Sequence, residues 1–359
     1  MKLLSRYLAR EIYSSVALVF VALLALFAFL DLVNELSHMQ GNYSTGYVIL
    51  FVVLTMPGHI YELFPVAVLI GTIVALVQMA SHSELTIYRA SGASLMQMVG
   101  ALFRAGAPLV LLSAIVGEVV APPSERFAQE VRMKAQNQEV RVKSFRSGIW
   151  ARDDHSFINA KGMLPDDGAL LNVSIYQFDG NYHLETITAA KRAVFLQTDE
   201  SWRLEGVAQT RFSAQGSTVN NVASMEWHSS INPDLLKVLM VVPEQMSAFS
   251  LYDYIKYLRD NHQKTVRYEV AMWNKVLHPL TVLVMMLLAL PFAAHQRRAG
   301  GVGGKIFAGI VLGLTFHFVG RLFSDIGALN DWQPMLSATA ITWLFLALAS
   351  GMLWWTERR

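Results

Sequence analysis

Cysteine is absent from all 359 residues, which excludes disulfides, thiol catalysis and cysteine-ligated metals. Charge is scarce too: Asp, Glu, Lys and Arg make up 16% of the chain against 53% hydrophobic residues. A water-soluble monomer could not hide that apolar excess. No Lys or Arg lies between Asp31 and Ile70. No complete phosphate loop occurs, since Gly300-Gly301-Val302-Gly303-Gly304-Lys305 lacks the full spacing and the terminal Ser or Thr. The ten histidines form no zinc pattern, and no serine sits in a nucleophile elbow. No cofactor or metal is therefore expected, and any energy must come from another subunit. The net charge of +2 hides an uneven distribution, the Lys and Arg of the middle section being balanced by many Asp and Glu rather than concentrated in a basic tail, so nucleic acid is not an expected partner.

What the chain has instead is five strongly apolar stretches and one interrupted one around a polar middle third. The first, about Ile12 to Leu32, follows Lys2, Arg6 and Arg10 and can cross an apolar core of about 30 Å. Its length, the missing small-residue cleavage pattern and the spans that follow argue for a retained helix rather than a removed signal. Tyr47 to Met79 is too long for one simple crossing and holds Pro57, Glu62 and Pro65. The expectation is an interfacial or bent segment feeding a span near Tyr61 to Met79. A third span falls within Leu95 to Val120, with Arg104 snorkelling towards one surface and Glu118 near the other. Spans four to six fall within Met272 to Ala294, Ile306 to Ser324 and Pro334 to Trp355. This arrangement gathers Lys2, Arg6, Arg10, Arg89, Arg104, Arg297, Arg298, Lys305, Arg358 and Arg359 on one side. Both termini are expected in the cytoplasm, and the middle third on the opposite side.

That middle third begins polar and helix-compatible at Arg126 to Arg146, then breaks into short alternating runs. Ser156 to Asn159, Leu171 to Phe178, Leu184 to Ile187, Ala193 to Thr198 and Trp202 to Val207 read as strands. Pro165-Asp166-Asp167-Gly168, Asp179-Gly180-Asn181 and Asp199-Glu200 read as turns between them. The expected fold class is an α+β membrane protein: six transmembrane helices with a periplasmic β-sandwich, or jellyroll, inserted between helices 3 and 4. Its parts are residues 1–125, 126–265 and 266–359. A partly open sandwich would offer an apolar interior to a greasy ligand or an unpaired edge to another sheet; a closed spacer is the plainer alternative. Leu251, Tyr254, Ile255 and Leu258 recur at helical spacing and predict an amphipathic connecting helix.

Three groups of residues can carry chemistry. Between spans 2 and 3, Glu84, Leu85, Tyr88 and Arg89 lead to a helix stop at Gly92, either a docking helix for a cytoplasmic partner or an ordinary structured turn. In span 5, His317 and Arg321 lie four residues apart, with Asp325 continuing the stripe. Charge in lipid is costly, so Arg321 faces the bundle, a cavity or an anion, or else snorkels to Asp325. Lys275 and His278 of span 4 fall near the same depth and, with Arg321, could line a phosphate-attracting cavity. Asp31 and Glu35, a turn apart at the end of span 1, could pair with such cations or only mark the interface.

Several strings in fixed order carry a family resemblance: Ser83-Glu84-Leu85, Ala90-Ser91-Gly92, Gly117-Glu118 with Val120-Ala121-Pro122, Gly148-Ile149-Trp150-Ala151, Val173-Ser174-Ile175-Tyr176, Tyr257-Leu258, and Met272-Trp273 with Lys275 and Pro279. Over essentially its full length the chain resembles the lipopolysaccharide export permeases, more closely the G-type than the F-type. The resemblance implies a non-catalytic inner-membrane permease, paired with a homologous F-type subunit and driven by a cytoplasmic ATPase dimer. It also implies lipopolysaccharide as substrate, handed to a periplasmic bridge that includes membrane-anchored jellyroll proteins. Carried onto this chain, the segment Glu84 to Gly92 is the ATPase coupling helix and spans 1 and 5 form a lateral gate. One departure stands out: where a close relative of this type has a lysine near the end of span 1, this chain has Asp31, which shifts the head-group candidates to Lys275 and Arg321. Two other classes of protein fit the chain less well. A lipoprotein-releasing permease would have one span before its large domain, whereas three precede it here. A passive scaffold would not need a coupling helix.

Overall fold

The computed structural model describes residues 2–358 apart from 38–43, 85–86, 88–89, 91–93, 136–139, 142–148, 154–155, 164–167, 181–182, 197–200, 214–215, 230, 232, 234–242 and 295–301. Six helices among the described residues are long and apolar enough to cross a membrane. In chain order these are α1 (Lys2–Leu36), α2 (Thr45–Ser81), a third helix in two parts, α6 (Val266–Ala294), α7 (Val302–Leu329) and α8 (Pro334–Glu357). The third consists of α3 (Leu95–Ile115), a π-helical turn (Val116–Val120) and α4 (Ala121–Ala135). A shorter helix, α5 (Ala248–Asp260), precedes α6.

α2 differs from its expectation. It is one unbroken helix of 37 residues with Pro57 and Pro65 inside it, about 55 Å long at 1.5 Å per residue. A proline inside a helix removes one N–H and leaves the carbonyl four residues earlier without its donor, here Val53. Hydroxyls from nearby side chains bond the carbonyls on either side of it. Ser124 Oγ donates to the Leu54 carbonyl at 2.6 Å, and Thr55 Oγ1 donates to that of Val52 at 2.9 Å. Apolar around its whole circumference, α2 is largely buried at the centre of the bundle, whereas the most apolar stretches of α1 and α7 bury almost nothing. The bundle core gathers Leu8, Ile12 and Val16 of α1, Phe64 to Met79 of α2, and Val282 to Leu290 of α6. Where α1 crosses α2, Gly71 lies against the Val16 backbone, and a Cβ there would come within 2.6 Å of Val16 Cα.

In sequence the strands fall between the third and fourth spans. β1 (Val140–Arg141), β2 (Ile149–Asp153), β3 (Ser156–Met163), β4 (Leu170–Phe178), β5 (Leu184–Leu196), β6 (Ser201–Ser213) and β7 (Gly216–His228) form one antiparallel sheet. The order is β1-β3-β4-β5-β6-β7, with β2 also pairing β3. The runs expected at Leu184 to Ile187 and from Ala193 onward are one continuous strand as far as Leu196, because the register with both neighbouring strands resumes unchanged on either side of the outward-pointing Lys191; residues 197–198 of the second run lie outside the described residues. β7 is an edge strand exposed along nearly all its length, so it lacks the apolar alternation that would have marked it. All the described strands belong to this one sheet. Its apolar face includes Trp202, fully buried and edge-on to Phe195 with ring centroids 5.2 Å apart, with Nε1 donating to the Ile231 carbonyl at 2.7 Å.

α5 fastens the sheet to the bundle. Leu251, Tyr254, Ile255 and Leu258 are all buried, as their spacing predicted. Tyr257 Oη donates to the Arg152 carbonyl of β2 at 2.8 Å. Burial, and secondarily the Asp153 charge, pushes the Tyr257 hydroxyl up to about 12, so it remains a proton donor throughout the physiological range.

Replacing Gly71 with leucine is expected to force α1 away from α2 and to cost about 1–3 kcal/mol as an overpacked core contact. A lowered thermal midpoint of the purified subunit in detergent measures this; an unchanged midpoint would mean that the crossing has slack.

Candidate functional site

In a low-dielectric bundle an unpaired charge is costly, so ionisable groups betray where helices must meet. The end of the bundle nearer the sheet collects most of them. At the far end of α1, Asp31 Oδ2 lies 2.5 Å from His59 Nε2 of α2. One turn on, Glu35 is 3% exposed and pairs with Arg132 of α4 at 2.9 Å. The Arg132 guanidinium also lies 5.2 Å from the centre of the Phe51 ring. The two acidic residues of span 1 are thus held by α2 and α4, not by Lys275 or Arg321.

Tyr61 of α2 organises the next cluster. Lys275 Nζ sits 4.7 Å above its ring, a cation–π contact. The Tyr61 hydroxyl donates to the Lys275 carbonyl at 3.2 Å, and the His278 ring lies 4.2 Å from the tyrosine ring. Against its other edge comes Gly117, which packs so close that a side chain there would collide with the ring. Gly117 belongs to the π-helical turn, the kind of interruption that re-aims side chains within a helix. Lys275 is 6% exposed, with Glu118 and Glu125 as the carboxylates in electrostatic range. Glu62, the residue after Tyr61, points about 100° away around α2. It meets His317 at 3.5 Å and Arg321 at 3.8 Å. Of the four cavity candidates, then, Lys275 and His278 are enclosed around Tyr61, while His317 and Arg321 share Glu62 with the Arg321 side chain 66% exposed.

Glu118 also reaches outward. Its Oε2 accepts the Ala248 amide at 2.8 Å, the first N–H of α5, and Arg126 Nη2 donates to Ser250 Oγ at 3.1 Å. A carboxylate on a helix N-terminus satisfies an orphan donor and the dipole together. Span 3 therefore grips the helix that carries the sheet.

At the opposite end of the bundle, Tyr7 Oη donates to Glu84 Oε1 at 3.2 Å. Glu84 Oε2 is enclosed and accepts no hydrogen bond among the described residues. Ile87 is helical and 67% exposed. Leu85, Tyr88, Arg89 and Gly92 lie outside the described residues.

Sequence reasoning assigned no role to His59, Tyr61, Glu125 or Arg132. The available signal was Glu62, a carboxylate inside an apolar run, which marks its neighbourhood on α2 as a place of compensated charge.

A polytopic membrane protein whose helices exchange charges at one end, and whose sheet is bolted to that end, is the class that fold and site define. The chain belongs to the lipopolysaccharide export system permease LptF/LptG family, whose model matches residues 6–356. It is 31% identical over 357 residues to the lipopolysaccharide export system permease protein LptG of Haemophilus influenzae, with 99% of this chain and 98% of that one covered. To LptG of Escherichia coli K12 it is 30% identical over 337 residues, with 93% of each covered. The family resemblance carried by the motifs is thereby confirmed.

Glu118→Ala removes a charged acceptor from the start of α5 and is expected to cost that helix about 1–2 kcal/mol. Amide exchange in the first turn of α5 should then speed up roughly five- to thirtyfold, with Glu118→Gln in between. Equal exchange in all three proteins would show that the cap contributes nothing.

Proposed function

We propose that the chain is the G-type permease subunit of an ATP-driven exporter that lifts lipopolysaccharide from the inner membrane towards a periplasmic protein bridge. Agreement with the permease family over residues 6–356 carries this reading. In it, both termini and Glu84 lie in the cytoplasm and the sheet, a jellyroll, lies in the periplasm. The partners are a homologous F-type permease, a cytoplasmic ATPase dimer, and the bridge with its membrane-anchored jellyroll proteins.

Physical chemistry sets what the subunit must do. Each buried acyl CH₂ group holds a lipid in the bilayer by about 0.8 kcal/mol, so a lipid with several chains cannot leave without coupled work. The subunit needs a face that opens to lipid, a polar contact for the phosphorylated head group and a seat for the ATPase. α1 and α7, whose apolar faces have the least cover within the subunit, suit a lateral gate shared with the F-type partner. Arg321, with an exposed guanidinium beside Glu62 and His317, suits the head-group phosphates. Lys275 and His278 hold the helices behind it. Glu84, with the exposed Ile87 beside it, suits ATPase docking.

Glu84→Arg is expected to leave insertion and pairing with the F-type subunit intact while cutting coupled ATP hydrolysis and lipid release at least tenfold in reconstituted vesicles. Unchanged release would remove Glu84 from the coupling role. Lipid adducts from a photo-crosslinker at Arg321, absent from one at Leu36, would support the head-group contact.

A further inference from the structure

Among the spans, α1 alone has neither proline nor glycine within it. Kinks arise at prolines, at glycines or at π-bulges, and α2, the third span and α6 each hold at least one of these. α1 is thus a stiff rod of 35 residues, about 52 Å long. Its two halves are held in different ways. Leu8, Ile12, Ser15 and Val16 are buried, a stripe at helical spacing that seats the first half in the core. Beyond Val16 the next buried residue is Glu35. The second half is pinned by the polar contacts of Asp31 with His59 and Glu35 with Arg132, together with ring contacts of Phe20 on Phe64 and Phe27 on His59.

The rod is also tied at its first turns. Tyr7 donates its hydroxyl hydrogen bond to Glu84 across 77 residues of sequence, so Glu84, between spans 2 and 3, is joined directly to span 1. A tight backbone approach between α1 and α2 comes at Val16 and Gly71, between the tie at Tyr7 and the pins at Asp31 and Glu35. A displacement of Glu84 therefore acts on a stiff element beside a tight crossing, and the loosely packed half is free to answer it.

We propose that Tyr7 is a positioning residue that passes movement of the Glu84 segment to α1, whose far half then releases the Asp31–His59 and Glu35–Arg132 pins and swings. The proposal rests on the reading of Glu84 as the ATPase seat. It adds that the energy reaches the lipid-facing helix directly, through a hydroxyl on span 1, and not only through spans 2 and 3, which flank the segment. Tyr7→Phe removes one oxygen and keeps the ring, which separates this relay from the packing of the helix.

The chain has no cysteine, so Leu30→Cys on α1 and Leu336→Cys on α8, both exposed, can carry spin labels in the reconstituted permease–ATPase complex. In the labelled parent a non-hydrolysable ATP analogue is expected to shift the label-to-label distance. With Tyr7→Phe added, that shift should shrink by at least half and lipid released per ATP should fall severalfold, while the ATPase still co-purifies. An unaltered shift and release ratio would overturn the relay. So would loss of ATPase co-purification, which would make Tyr7 an assembly residue, or a parent protein whose labels do not move. Glu84→Arg behaving like the parent in parallel samples is a separate failure, that of the docking reading itself.

Discussion

A charge taken into a medium that cannot solvate it must bring its partner along, and α2 is where this chain meets that demand. Within four residues of that helix, His59 takes Asp31 of α1, Tyr61 takes Lys275 and His278 of α6, and Glu62 takes His317 and Arg321 of α7. From Phe64 to Met79, α2 is predominantly apolar on every side and sits in the core. Helix association in lipid lacks the hydrophobic drive available in water. These polar contacts, together with close crossings such as Gly71 on Val16, therefore define the arrangement of neighbours around α2.

The same constraint links bundle to sheet. Glu118 lies in electrostatic range of Lys275 and also caps the start of α5, and α5 in turn holds β2 through Tyr257. Charge compensation in the membrane and anchoring of the extramembrane sheet thus share one carboxylate, set in a π-helical turn that aims it. Movement of the bundle and movement of the sheet are thereby mechanically joined at α5.

Much of this was legible in the amino acids. The six spans were visible from hydropathy, α5 from its four-residue stripe, and the antiparallel sheet from alternation in Leu171 to Phe178 and Trp202 to Val207. What escaped followed physical rules of its own. α2 read as broken because Pro57 and Pro65 argue against a continuous helix, and the hydroxyl that bonds the Leu54 carbonyl comes from Ser124, 70 residues away. β7 was invisible because an edge strand wet on both faces has no apolar period. The partners of Asp31 and Glu35 were missed because opposite charges can be matched in many ways along a sequence, and only the packing of α1 against α2 and α4 chooses among them.

The borrowed hydroxyl has a consequence for how such chains can diverge. Ser124 binds the Leu54 carbonyl, one residue from the Val53 carbonyl that Pro57 leaves without a donor, so the serine ties α4 to α2 without mending the gap itself. Losing the serine would untie the two helices at that turn and leave the gap as it was, whereas losing the proline would close the gap and leave the tie in place. The two sites can therefore change in either order, each at its own cost.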